Sequence, residues 1–206
     1  MYMPAAFRIE DLAEVHAAMA AAPLAQLATC GPEGLAATPL PLFLDPAEGP
    51  FGTLYGHLAR ANPQWRAGPC DALAIFMGPD AYVTPAWYAA KAETGKVVPT
   101  WNYETVQAHG PAEFFEDADR LHAVVRRLTD LHEAGRPDPW AVSDAPEPFV
   151  RAQLRGIVGL RLPIARLEGK RKMSQNRSPG DRARVAAGLA ASADTGDRRA
   201  APRIPL

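Results

Sequence analysis

LAQLATCGPEGLAATPLPLFLD, residues 24–45, sets two apolar runs on either side of Gly31-Pro32-Glu33-Gly34. Gly and Pro are the strongest local breakers, so the segment reads as a hairpin. A strand from Leu24 to Thr29 is followed by a turn and a second strand from Leu35 to Leu44. Pro39 and Pro41 lack the N–H that a central strand must donate, which predicts an edge position or a bulge for that second strand. Asp45 to Pro50 turns the chain again.

Upstream, Glu10 or Asp11 opens a helix with Leu12, Val15, His16 and Met19 on one face, ended by Pro23. Downstream, Gly52 to His57 is a third strand. Asn62-Pro63 then gives a helix start, Asn62 as the cap and Pro63 at the first helical position. Ala72 to Met77 and Ala81 to Thr84 read as strands on either side of Gly78-Pro79-Asp80, and Pro85 to Gly95 as a loop. Val97 to Gly110 is a long strand that continues through Ala112 to Phe115. Asp117 caps a helix whose Leu121, Val124, Val125, Leu128 and Leu131 follow helical spacing, with Arg120, Arg126 and Arg127 facing water. A short helix covers Glu147 to Arg155, and Ile157 to Leu167 is the last strand, interrupted by Pro163. Six or more strands joined mostly by turns predict a mainly β protein with peripheral helices, built as an antiparallel barrel. Residues 1–180 would form that domain; residues 181–206 would be a helical turn and a disordered tail.

The totals narrow the function. Among 206 residues, 22 Lys and Arg stand against 23 Asp and Glu, a net charge of -1, so no overall electrostatic case for nucleic acid exists. Cys30 and Cys70 form neither a framework nor a metal motif and are expected as buried or half-buried thiols. The chain has no apolar run of membrane-spanning length, and MYMPAAFRIED is not a signal peptide, so it reads as cytoplasmic. It carries no GxGxxG, P-loop, HExxH or nucleophile elbow.

Two segments place cations and amides just beyond apolar strands: LYGHLARANPQW (Leu54 to Trp65) and KRKMSQNRS (Lys170 to Ser178). Charge-assisted hydrogen bonds make such groups suitable for a phosphate, although solvated strand ends have the same composition. Asn62 serves as a helix cap on one reading and as part of an anion site on another, and the two are compatible. Tyr82, Trp87 and Tyr88 either stack on a flat ring or fill an inter-subunit core. In VPTWNY, Trp101 and Asn102 point to opposite faces of a strand, and a buried Asn102 would need a partner.

Together, ATPLPLFLD (Ala37 to Asp45), LYGHLARANPQW, IFMGPDAYVTPAWY (Ile75 to Tyr88), VPTWNY and KRKMSQNRS resemble the PaiB-type family of FMN-binding negative transcriptional regulators. The resemblance implies a six-stranded antiparallel split β-barrel of the pyridoxamine-phosphate-oxidase type, dimeric, with FMN between subunits. It implies that His57, Ala59, Arg60 and Asn62 hold the FMN phosphate and that Thr38 and Pro39 lie along the ring. Trp101, Lys172, Gln175 and Arg177 would approach from the other subunit or the rim. DNA is a possible partner under the family label, with Arg120, Arg126 and Arg127 as the basic face. The alternative is an FMN-dependent oxidoreductase acting on a small molecule, with the flavin carrying the chemistry.

Overall fold

Arg8–Ile9 forms a two-residue strand, β1, and Asp11 then opens helix α1, Leu12–Ala21. The Asp11 carboxylate accepts the Ala13 N–H at 3.0 Å, satisfying one of the free donors of the first turn. The computed structural model describes residues 1–32 and 34–206; Glu33 of the expected turn lies outside the described residues. The hairpin is present, with β2 (Leu24–Gly31) antiparallel to β3 (Gly34–Pro41). Its second strand does not reach Leu44 unbroken. Pro41 has no N–H to carry the ladder on, the Leu42 N–H turns to the Pro23 carbonyl at 2.9 Å, and the chain resumes as β4, Phe43–Asp45. β4 pairs instead with β5, Thr53–Ala59.

Cys70–Val83 is one continuous strand, β6, where two strands and a turn were expected. Its buried positions are even-numbered up to Phe76 and odd-numbered from Ala81. The Gly78-Pro79-Asp80 stretch therefore shifts the alternation, as a bulge does, without ending the strand. Gly78 fits because an added Cβ would stand only 3.1 Å from the Glu104 Cβ. The expected loop after Val83 holds a 3-10 helix at Pro85–Trp87 and a short helix α2, Ala90–Glu93. β7, Thr100–Phe115, passes Pro111 unbroken. Asp117 caps α3, Ala118–Glu133, accepting the Arg120 N–H at 2.8 Å. After α4, Glu147–Leu154, the expected last strand is two: β8, Ile157–Pro163, and β9, Arg166–Lys172.

The chain divides into two compact units. The hairpin unit comprises residues 22–76 and 107–167. Its strands follow the order β3-β2-β6-β7-β8-β5-β4, so β3 takes the edge position that its prolines predict. No pairing among the described residues links β3 to β4, so the closure of a six-stranded barrel is not seen among them. Leu27, Leu54, Leu58, Val158, Leu160 and Leu162 are buried within the unit. α3 packs Leu121, Val124 and Leu128 against Phe115 and Leu154, whereas Leu131 is 44% exposed, past the end of that stripe. Cys70 is half-buried, but Cys30 is exposed, contrary to expectation, because it lies opposite Leu35 beside the turn of the hairpin, beyond the residues of β2 that pair with β6.

The terminal unit comprises residues 1–21, 77–106 and 168–206. β1 pairs with β9. The tail beyond residue 180 is ordered, correcting the expected disorder. It forms α5, Pro179–Ala190, and α6, Thr195–Ala200, capped by Ser178 and Asp194. Its few apolar residues are spaced for burial: Val185, Leu189, Ala200 and Ile204 close over Ala81, Val83 and Tyr88. Low average hydrophobicity concealed that spacing.

Candidate functional site

In the hairpin unit the site begins where β5 runs into a 3-10 helix, Pro63–Ala67. Asn62 caps this helix, its Oδ1 accepting the Gln64 N–H at 2.9 Å. The other end of the same amide donates to Thr38 Oγ1 at 2.9 Å, and Thr38 Oγ1 donates in turn to Gln64 Oε1 at 2.5 Å. Gln64, 5% exposed, is the hub of this group. Its Nε2 donates to the Leu27 carbonyl at 3.0 Å and to Thr29 Oγ1 at 3.1 Å. Pro39, beside Thr38, is exposed and lies opposite Gln26.

Arg60 is tightly engaged with protein. Its Nε donates to the Arg155 carbonyl at 2.7 Å and its NH2 to the Ile157 carbonyl at 3.4 Å, while NH1 pairs with Glu116 at 3.0 Å. Ala59 is exposed at the strand end. His57, opposite Gly159, is half-buried, and its Nδ1 is buried without a hydrogen-bond partner. Burial holds its imidazole below the ordinary value for histidine.

The terminal unit contains the second group. Lys172 Nζ donates to Thr100 Oγ1 at 2.5 Å and to the Trp101 carbonyl. Burial, and then the charges of Lys170 and Arg177, lower its pKa. No carboxylate among the described residues pairs with Lys172 or Arg177. Gln175 is spent on its own turn, accepting the Met173 N–H at 2.6 Å and donating to the Arg171 carbonyl. Trp101 is 52% exposed and meets Tyr82 edge to face, with ring centroids 6.0 Å apart. Asn102, on the other face of β7, is 1% exposed. Its Nδ2 donates to the Ser174 hydroxyl at 3.0 Å. Ser174 holds that contact at a φ of 63°, a region uncommon outside glycine.

Thr38, Pro39, His57, Ala59, Arg60 and Asn62 therefore fall in one unit, and Trp101, Lys172, Gln175 and Arg177 in the other. Sequence reasoning missed Gln64, although it stands inside a motif already singled out; a polar residue between Pro63 and Trp65 was the available signal. It also missed Glu116, whose carboxylate meets Arg60, because a contact across 56 positions leaves no local trace. Among the described residues, no three His, Cys, Asp or Glu are grouped so as to hold a metal ion, and no helix is long and apolar enough to cross a membrane.

An antiparallel sheet edged by helices, with amide and cation groups at its strand ends, matches a known class. The family model described as "Putative FMN-binding domain" covers residues 1–166, and the chain belongs to that family. Within it, the chain is of the PaiB type. It is 30% identical to the Bacillus subtilis Protease synthase and sporulation protein PAI 2, over 88% of this chain and 85% of that one. An uncharacterized Aspergillus fumigatus protein is 39% identical over 67% of this chain, and the match spans 66% of that relative's length. Among solved structures, the FAD and heme binding protein from Mycobacterium smegmatis shares the fold. Its TM-score is 0.61 at 17% identity, covering 88% of this chain and 80% of that one.

Proposed function

We propose that this chain is a cytoplasmic, homodimeric FMN-binding protein of split-barrel type that acts as a negative regulator of transcription. The observation that carries the reading is the buried, unpartnered Nδ1 of His57, three residues before Arg60 on the matched segment. A buried polar atom without a partner is uncommon and calls for a ligand atom or a water. The residue set fits FMN. His57, Arg60 and Asn62 would hold the phosphate, Ala59 giving it room. Thr38 and Pro39 would flank the ring, while Lys172 and Arg177 would add charge and Trp101 apolar cover from the other subunit of the dimer. Gln175 would act through its turn, fixing the backbone between those two cations. Bound FMN supplies a flat, redox-active ring.

Dimerisation is supported by exposed apolar surface. In β3 the stretch Gly34–Ala37 and Pro39 are exposed, with Leu35 at 87%, and exposed apolar patches mark association surfaces. Regulation is supported by the relative named for protease synthesis and sporulation. Direct DNA contact has weaker support, since two of the three arginines on α3 already have acidic partners: Arg120 with Glu113 at 2.9 Å and Arg126 with Asp130 at 3.8 Å.

The test is a visible spectrum of freshly purified protein, mass spectrometry of the released ligand, and light scattering. Flavin absorbance, a mass equal to FMN and twice the chain mass are expected. A colourless monomer that takes up no added FMN would overturn the proposal. If DNA is bound, affinity should fall steeply with added salt.

A further inference from the structure

Around Tyr88 the terminal unit gathers Arg177, to which the flavin reading gives a charge role, and two polar groups, on Tyr88 and Arg182, which that reading leaves unused. The Tyr88 side chain is 3% exposed, yet its hydroxyl is buried with no hydrogen-bond partner. Arg177 lays its guanidinium over that ring, 4.5 Å from the centroid. Arg182, in the first turn of α5, donates from NH1 to the Arg177 carbonyl at 3.4 Å, while its Nε is buried and unpartnered. The adjacent Asp181 forms no ion pair with them among the described residues, and its Oδ1 accepts the Ala89 N–H at 2.9 Å. No carboxylate among the described residues pairs with either arginine.

Buried donors are normally satisfied. A single uncompensated donor has little meaning. Here a phenol hydroxyl and a guanidinium N–H are both left over beside a second, unpaired guanidinium, linked through one ring and one carbonyl. Both guanidinia can only donate, and the phenol hydroxyl can donate as well as accept. The missing component is an acceptor carrying negative charge, and a guanidinium fork suits the planar or tetrahedral oxygens of a carboxylate or phosphate.

We propose that Tyr88, Arg177 and Arg182 form an oxyanion site that takes the phosphate or carboxylate group of a small ligand. The group belongs either to FMN itself, which would deepen the function proposed above, or to a separate anion bound whether or not flavin is present. The probe is inorganic phosphate, titrated into the purified protein at constant ionic strength with chloride as the balancing ion, reading the melting temperature with and without added FMN.

Wild type should show a saturable rise in melting temperature. Arg182→Gln and Tyr88→Phe should each weaken phosphate binding at least tenfold. Tyr88→Phe should melt no lower than wild type in chloride alone, since it keeps the ring and removes an unsatisfied hydroxyl. If Arg182→Gln fails to fold by circular dichroism, Tyr88→Phe settles the matter alone. Phosphate competing with FMN, with FMN affinity lost in both variants, assigns the site to the flavin's own phosphate. Phosphate binding to flavin-loaded protein, with FMN affinity unchanged in the variants, assigns it to a separate anion. A wild type that responds no differently to phosphate and chloride, or variants with wild-type phosphate affinity, would overturn the site while leaving any measured flavin binding intact.

Discussion

The side chains of Thr38 and Gln64 are joined directly, hydroxyl to amide oxygen at 2.5 Å, across 26 positions of sequence. This bond, with the Gln64 donation to the Leu27 carbonyl, fastens the start of the 3-10 helix to the hairpin. Gln64→Ala leaves several buried groups without partners, at a cost of about 1–3 kcal/mol each before the site relaxes. A net loss of about 2–3 kcal/mol is expected in urea unfolding. Gln64→Glu should be worse than Gln64→Ala at neutral pH, because a carboxylate would face the Leu27 carbonyl with no proton to give.

His57 predicts a pH dependence of stability. Burial depresses its folded-state pKa below the unfolded value of 6.5, so the unfolded chain binds the proton more readily. Its contribution is therefore intact above pH 6.5 and is lost as pH falls from there through the lower folded value. Denaturant midpoints measured between pH 8 and pH 5 should decline, and His57→Asn should flatten the slope in that window. An unchanged slope would mean that the ring is solvated.

Arg60 divides its donors between two carbonyls and Glu116. If it also grips the FMN phosphate, Arg60→Ala should weaken FMN by about 1.5–3 kcal/mol, the range for a hydrogen bond to a charged group. Glu116→Gln removes the competing carboxylate and should strengthen FMN. Fluorescence quenching titrations of both variants test this; FMN affinity equal to wild type in Arg60→Ala would move the phosphate elsewhere.

Arg161 joins Glu48, at 2.5 Å, to Glu113, at 3.2 Å, and the Tyr55 hydroxyl donates to Glu48 at 2.6 Å. The Tyr55 bond and then Arg161 hold the Glu48 pKa below 4.5, and Arg120 followed by Arg161 does the same for Glu113. Both carboxylates add stability above pH 4.5 that is lost as pH falls through their folded values. Arg161→Met should lower stability at pH 7 by about 1–2 kcal/mol, given partial exposure, and reduce the loss on going to pH 3. Acid titration followed by circular dichroism measures both effects.

Gly188 lies against Trp87, where an added Cβ would come within 2.3 Å of the indole ring. Gly to Ala within a helix ordinarily gains about 0.5–1 kcal/mol. Overpacking costs about 1–3 kcal/mol and should win here. Gly188→Ala is therefore expected to lower the melting temperature and expose α5 to proteolysis.

The sequence revealed the fold class through breakers and alternation, and the caps at Asn62 and Asp117 sat where their side-chain chemistry put them. Its errors came from tertiary context. Pro41 broke a strand that periodicity would have continued, while Gly78-Pro79-Asp80 failed to break one, because pairing along the rest of β6 outweighed a local turn preference. The tail looked disordered because it has few large apolar residues, yet Val185, Leu189 and Ile204 among them pack in one cluster with Tyr88, against which Trp87 lies. The charged site residues were visible as types, but their long-range partners were not. Nothing near Arg60 in the sequence announces Glu116, and nothing near Asn102 announces Ser174.

The two prolines of β3 limit what the exposed strand can recruit. A bare, apolar edge invites further copies to add indefinitely, toward fibrils. A strand that lacks amide hydrogens at Pro39 and Pro41 offers only a short template, so it favours an association that stops at one neighbour over open-ended stacking.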